Sequence, residues 1–438
     1  MYNKIYKFPN GATIIYKKRK SNKATAINAG FYCGHQYANN GLPHFFEHMF
    51  FKGTTKRSME QIIDDRSAIT FLNAYTNNDL VCVTFYQSNK RLEQSFEFAS
   101  DVLLNSTFDA EKLSNEVKVV QEEKIRYIDN SRKSHMVMHE MYIKKNFKSL
   151  ETQADRIFGT DDFLNTITPK DLENYRDEHF VTDKFIISVT TNLSFSKIKK
   201  LVKKYFLNHI KTPETPSTIL PVEVYEIDRE SGVNLVQNND KGYKAVITIK
   251  MDADGHNYRY DYNLDCLSDS LGDRKDLYHY EVRRQGLAYS CRTGVDYNNF
   301  KNTLWIGVDF TTSSIENISK ILSVLGDSIQ ILKKDGLSQE DIDLFKENYI
   351  ISRDTRRPSS HKDLVYDNLL KYLRYGEEKA KTAKQIEKFY DKITKESIME
   401  NITKCFNKDN DVHITIMGDF TNAQVKTIEE YKQLVFKN

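Results

Sequence analysis

Nowhere in this chain do about 18 apolar residues run together, which excludes an uninterrupted membrane-spanning helix. The amino terminus, Met1-Tyr2-Asn3-Lys4-Ile5-Tyr6-Lys7-Phe8-Pro9-Asn10-Gly11, lacks the apolar core and small-residue cleavage site of a secretory signal, so a cytoplasmic location is expected. An excess of one charge is missing too. Lys and Arg number 64 against 61 Asp and Glu, a formal net charge of +3 that creates no field to draw nucleic acid or anionic lipid, and neither is expected as a partner. Short basic runs such as Lys17-Lys18-Arg19-Lys20 read as solvated strand ends. The five cysteines (Cys33, Cys82, Cys266, Cys291, Cys405) are odd in number, scattered, and never spaced Cys-x-x-Cys. A disulfide framework or a thiolate metal site is thereby disfavoured, and reduced, buried thiols are expected.

What is present suits two globular cores. The chain has 438 residues, 39% of them hydrophobic and 29% charged, more than one ordinary core accommodates. Ile167-Thr168-Pro169-Lys170-Asp171-Leu172, the strand-like Phe185-Ile186-Ile187-Ser188-Val189 and a helical pattern from Phe195 to Phe206 recur in order as Ile393-Thr394-Lys395-Glu396-Ser397-Ile398, Val412-His413-Ile414-Thr415-Ile416 and 422–436. The offset is 226 residues from Thr168 to Thr394 and 227 from Ile187 to Ile414, which points to a duplicated domain. Two prolines and small polar residues in Lys211-Thr212-Pro213-Glu214-Thr215-Pro216-Ser217-Thr218 break regular structure. Domains at 1–212 and 223–438, with a linker over 213–222, follow. Asn10-Gly11 between two strand-like runs predicts a hairpin, and with it an α+β fold of two similar tandem domains, each an antiparallel sheet packed with helices.

The chemistry concentrates in His44-Phe45-Phe46-Glu47-His48. Gly41-Leu42-Pro43 offers a helix start and Gly53 a stop. At 100° per residue His44 and His48 lie about 40° apart and Glu47 about 60° to the other side of His44, so the three form one polar wedge on an otherwise apolar helix. Two imidazoles one turn apart can aim at a single zinc ion, while Glu47 is placed to take a proton from water. A catalytic zinc wants a third protein ligand and an open position. Glu116 and Glu123 are seven residues apart and share a helix face; Glu123 is read as the third ligand, with Glu122 as the alternative, and Glu116 as the carboxylate that orients a ligand. A second pair, His135 and His139, carries Met138 and Met136 where either zinc motif needs glutamate, so packing or surface roles are expected for it.

With these residues in place, the sequence resembles the pitrilysin and mitochondrial processing peptidase family, whose signature is H-x-x-E-H. Gly41 to Thr54 resembles its whole zinc-helix block, Asn73-Ala74-Tyr75-Thr76 its substrate-strand block, Glu116 to Glu123 its paired-glutamate helix, and Arg283-Arg284-Gln285-Gly286-Leu287-Ala288-Tyr289 its arginine-to-tyrosine block. Ile69-Thr70-Phe71-Leu72 and Gly272-Asp273-Arg274 depart from it, standing where the family often has a glycine pair and a glycine run.

The resemblance implies half of a clamshell, one zinc ion per chain, and a zinc metalloendopeptidase that cuts unfolded peptides or leader segments inside a closed chamber. It implies a homodimer, or a heterodimer with a related subunit. Asn73, Ala74 and Tyr75 would receive the peptide as an added strand. Arg283 and Tyr289 would steady the scissile carbonyl or its developing oxyanion. A non-catalytic scaffold is the alternative, weakened by the retention of every ligand; a zinc-bearing half of a heterodimeric processing peptidase is another. In the second half, Phe345 and Ser352 fall at the places of Glu116 and Glu123, so one zinc site is expected.

Overall fold

The computed structural model describes residues 4–19, 23–38, 40–144, 149–221, 230–239, 241–252, 262–296, 303–355, 360–379 and 388–437, which leaves residue 222 of the expected linker outside the described residues. The first sheet contains β1 (Lys4–Lys7), β2 (Thr13–Lys18), β3 (Ala24–Tyr32), β4 (Phe71–Thr76), β5 (Leu80–Ser88) and β6 (Phe185–Thr191), in spatial order β1-β2-β6-β3-β5-β4. The second contains β7 (Gly232–Gln237), β8 (Tyr243–Asp252), β9 (Ser290–Asp296), β10 (Thr303–Thr312) and β11 (Val412–Gly418), in order β7-β11-β8-β10-β9. The hairpin expected at Asn10-Gly11 joins β1 to β2, with Lys7 opposite Thr13 and Gly11 at φ 90°.

The sheets are antiparallel except for one pair in each. β6 enters between β2 and β3, antiparallel to β3 and parallel to β2; β11 enters between β7 and β8 in the same way. A late strand inserted between two that run in opposite directions must be parallel to one of them. The internal repeat is therefore structural. Thr168 and Thr394 each cap the helix that precedes the inserted strand, Pro169–His179 and Lys395–Cys405, through reciprocal bonds with Asp171 and Ser397.

Two segments cross the boundary drawn from sequence. One compact unit consists of 1–127, 151–223 and 357–381, the other of 128–150, 224–356 and 382–438. Both faces of the first sheet need cover, since β3 and β6 are buried along nearly their whole length rather than alternately. From the carboxy-terminal half, the His361–Lys379 helix lays Leu369 and Tyr372 against Ile15, Leu80, Cys82 and Ile186, and Val365 accepts a 2.9 Å hydrogen bond from Ser188. Conversely, the His135–Ile143 helix belongs to the second unit. His139 is buried there between Thr415 (Nδ1, 2.9 Å) and Thr248 (Nε2, 3.0 Å), which is a packing role. All five cysteines are free and buried.

Because Leu369 is 1% exposed within this cover, Leu369→Ala is expected to lower the stability of the first unit by about 2–5 kcal/mol, read as a fall in the urea midpoint. An unchanged midpoint would contradict the assignment of this helix to the first sheet.

Candidate active site

The short helix Leu42–His48 starts at Gly41, whose φ of 70° suits glycine, with Pro43 in its first turn. A Cβ on Gly41 would collide with the backbone of Phe158 and Gly159, so the two segments are in contact at main-chain distance. Phe45, Phe46, Met49 and Phe50 are fully buried; Phe46 meets the rings of Phe108, Tyr175 and Phe180. That burial fixes the rotation of the helix and leaves His44, Glu47 and His48 on the remaining face.

The helix Ala110–Arg132 brings the carboxylates. Glu123 Oε2 lies 3.3 Å from His48 Nε2 and 4.0 Å from His44 Nε2, while Glu116 Oε1 lies 2.8 Å from His48 Nδ1. Of the two carboxylates Glu122 and Glu123, it is Glu123 that lies beside both imidazoles. The other oxygen of Glu116 pairs with Lys52. Lys124 reaches the opposite way, to Asp155 at 2.7 Å and to the Gly159 carbonyl at 2.9 Å. It thus ties the glutamate helix to the segment against which Gly41 rests. Thr76, at the end of β4, donates to Glu47 Oε2 at 3.1 Å.

The electrostatics follow from this packing. Burial, with help from His48, pushes His44 down to about 3 and keeps it a neutral donor of a lone pair. Burial opposes charge on His48 as well, yet its hydrogen bonds to Glu116 and Glu123 outweigh it and raise the imidazole to about 9. Glu116 is held below the usual carboxylate range because the hydrogen bonds from His48 and Lys52 overcome its burial, and Glu123 is held low by His48. Glu47 moves the other way, raised to about 7 by burial against the opposing pull of His48 and Thr76.

Two nitrogens and one carboxylate oxygen, all within 4.8 Å of one another, are the donor set of His44, His48 and Glu123. Tetrahedral nitrogen and oxygen ligands of zinc stand about 3.4 Å apart, so small side-chain rotations bring these atoms to ligand positions. Glu116 and Glu123 flank His48 and make this a place where positive charge is favoured, and the residues fit a divalent cation. Among the described residues no other group of three or more His, Cys, Asp or Glu converges in this way.

The expected peptide-binding strand β4 lies at the edge of its sheet and, among the described residues, pairs with no strand but β5; Asn73 is exposed and Ala74 buried. The Tyr75 ring packs edge-on against Tyr366 at 5.6 Å. Arg283 and Tyr289 lie in the second compact unit, at the end of the Tyr278–Arg284 helix and just before β9; Arg283 donates to the Tyr289 carbonyl at 2.6 Å, and Tyr289 is 87% exposed. Sequence reasoning assigned no role to Lys52, Thr76 or Lys124. Lys124 follows Glu123 directly, but which charge it meets depends on Asp155 and Gly159, more than thirty residues away.

Comparison with known proteins identifies the family. Residues 13–160 match the model described as insulinase (peptidase family M16), and residues 166–349 match that of the peptidase M16 inactive domain. The Bacillus subtilis protein described as uncharacterized zinc protease YmxG is 24% identical over 354 residues, 78% of this chain and 82% of that protein. The mitochondrial-processing peptidase subunit beta of Caenorhabditis elegans is 30% identical over 227 residues, 49% of this chain and 48% of that protein, so this match spans only about half of the relative. Among solved structures, the periplasmic protease PqqL of Escherichia coli superposes with a TM-score of 0.79 at 14% identity, over 99% of this chain and 50% of that one. The peptidase M16 inactive domain from Pseudomonas fluorescens gives 0.72 at 15% identity, over 95% and 98%. With the two family models together running from residue 13 to residue 349, the chain belongs to peptidase family M16.

Proposed function

We propose that this protein is a zinc-dependent endopeptidase that hydrolyses unfolded peptides or leader segments. The observation that carries the reading is the convergence of His44 Nε2, His48 Nε2 and Glu123 Oε2 beside a Glu47 carboxyl raised to about 7. Family membership and the zinc-protease names of relatives support it.

Zinc, when held by His44, His48 and Glu123, supplies Lewis acidity to a peptide carbonyl and to the attacking water. The rest is done by the chain's own side chains. Glu47 takes the water's proton and delivers it to the departing amine; a carboxyl near neutrality can do both, and Thr76 fixes its orientation through Oε2. Peptide backbone pairs with the free edge of β4 at Asn73, Ala74 and Tyr75, which gives affinity without demanding one sequence. Because Thr76 ends that strand, the base and the substrate share one rigid element. On resemblance, Arg283 and Tyr289 steady the carbonyl oxygen as charge develops on it. Two copies of the chain are proposed to enclose the substrate.

Hydrolysis of a peptide library, followed by mass spectrometry with and without chelator, tests the activity: cuts inside unfolded peptides that vanish with chelator are expected, and cuts that persist would overturn the zinc requirement. Glu47→Gln retains the side-chain size but cannot accept the proton; turnover should fall by about two to four orders of magnitude at unchanged zinc content. Near-native turnover would remove Glu47 as the base. Glu116→Gln weakens the bond that orients His48, and zinc affinity measured by chelator competition should drop about 10- to 100-fold. Unchanged affinity would mean that Glu116 does not support the ligand.

A further inference from the structure

His48 has a charged partner behind it in Glu116, whereas His44 has no such partner. His44 presents Nε2 to Glu123, so its remote nitrogen is Nδ1, which is buried and, among the described residues, without a hydrogen-bond partner. A neutral imidazole that gives its Nε2 lone pair to a metal must carry its proton on Nδ1. A buried N–H of this kind needs an acceptor.

Three rings surround His44. Phe158, at 5.1 Å between centroids, offers no acceptor, and His48, at 4.5 Å, has its Nδ1 bound to Glu116 and its Nε2 turned to Glu123. The third is His35, at 6.5 Å, and its Nδ1 is likewise buried without a partner among the described residues. His35 is 7% exposed and held by its backbone: its N–H donates to Asn77 O at 2.9 Å, and Gln36 N–H donates to Asn78 O at 3.0 Å. A Cβ on the preceding Gly34 would collide with the same turn. His35, which follows β3, is therefore fixed against the turn between β4 and β5. A direct bond between two imidazoles requires centroids about 5 Å apart; at 6.5 Å a link between the two rings would need a bridging water.

We propose that His35 is a positioning residue for His44: through one buried water its Nδ1 accepts the proton on His44 Nδ1, holding His44 in the tautomer and orientation that present Nε2 to the metal. The two histidine ligands are then oriented differently, one by a carboxylate on the glutamate helix, the other by an imidazole anchored to the substrate-strand hairpin. This inference rests on the metal reading given above.

The test is zinc affinity by chelator competition in the full chain, with two substitutions of nearly equal shape. His35→Asn places its side-chain oxygen where Nδ1 stands; His35→Leu has no acceptor. Zinc binding by His35→Leu is expected to weaken about 10- to 100-fold, and His35→Asn should recover most of that loss. Equal weakening in both would reduce His35 to a packing residue and overturn the proposal, as would native affinity in His35→Leu. Should the leucine variant not fold, a crystal structure of the zinc-loaded native protein decides. A water within about 3.2 Å of both Nδ1 atoms supports the proposal, and its absence overturns it. Native protein that takes up no zinc would instead overturn the metal reading itself, and this inference with it.

Discussion

Glu123 can reach both imidazoles only if two helices that are far apart in sequence hold a fixed spacing, and the rest of the site depends on that one contact. The spacing is maintained from behind. Gly41 allows the histidine helix to start against the backbone of Phe158 and Gly159, and Lys124, one residue beyond Glu123, reaches the Gly159 carbonyl and Asp155. Both helices thus take their position from the same short segment. The charge arrangement completes the constraint, since Glu116 and Glu123 bracket His48 and draw positive charge to it, while buried His44 stays neutral. Removing water from so many polar groups is costly unless each finds a partner, and a divalent cation satisfies three of them at once.

The same geometry links chemistry to substrate. Glu47 is oriented by Thr76 at the end of β4, and β4 is the open edge of the first sheet. On the proposed reading, a peptide laid on that edge would be presented to Glu47 by the strand that also orients it, so little reorganisation would separate binding from proton transfer. The second half repeats the sheet plan, with β11 inserted as β6 is, yet in the sequence register of the repeat Phe345 falls at the place of Glu116. Duplication kept the fold and not the cluster of His44, His48 and Glu123, as expected when packing rather than a site holds a domain together.

Much of this was legible in the sequence for physical reasons. Helical periodicity alone puts His44, Glu47 and His48 on one wedge and Glu116 and Glu123 on one face, and the threonine caps at Thr168 and Thr394 mark the repeat. Local rules fail where a residue's partner is distant. Nothing in the pattern around Leu369 says that its helix covers the first sheet rather than the second, or that His139 is buried between two threonines of the second unit. The parallel pairs escaped notice because the inserted strands come late, after long helical excursions. Lys124 and His35 look like ordinary polar residues until Gly159 and His44 are placed beside them.

The position of the metal is the most direct test of the site. Anomalous diffraction at the zinc edge, from crystals of protein never exposed to chelator, measures this directly. One peak per chain is predicted, bounded by His44 Nε2, His48 Nε2 and Glu123 Oε2, with Glu47 outside the ligand set. No peak at that position after zinc is supplied, or a peak held by Glu122 in place of Glu123, would contradict it.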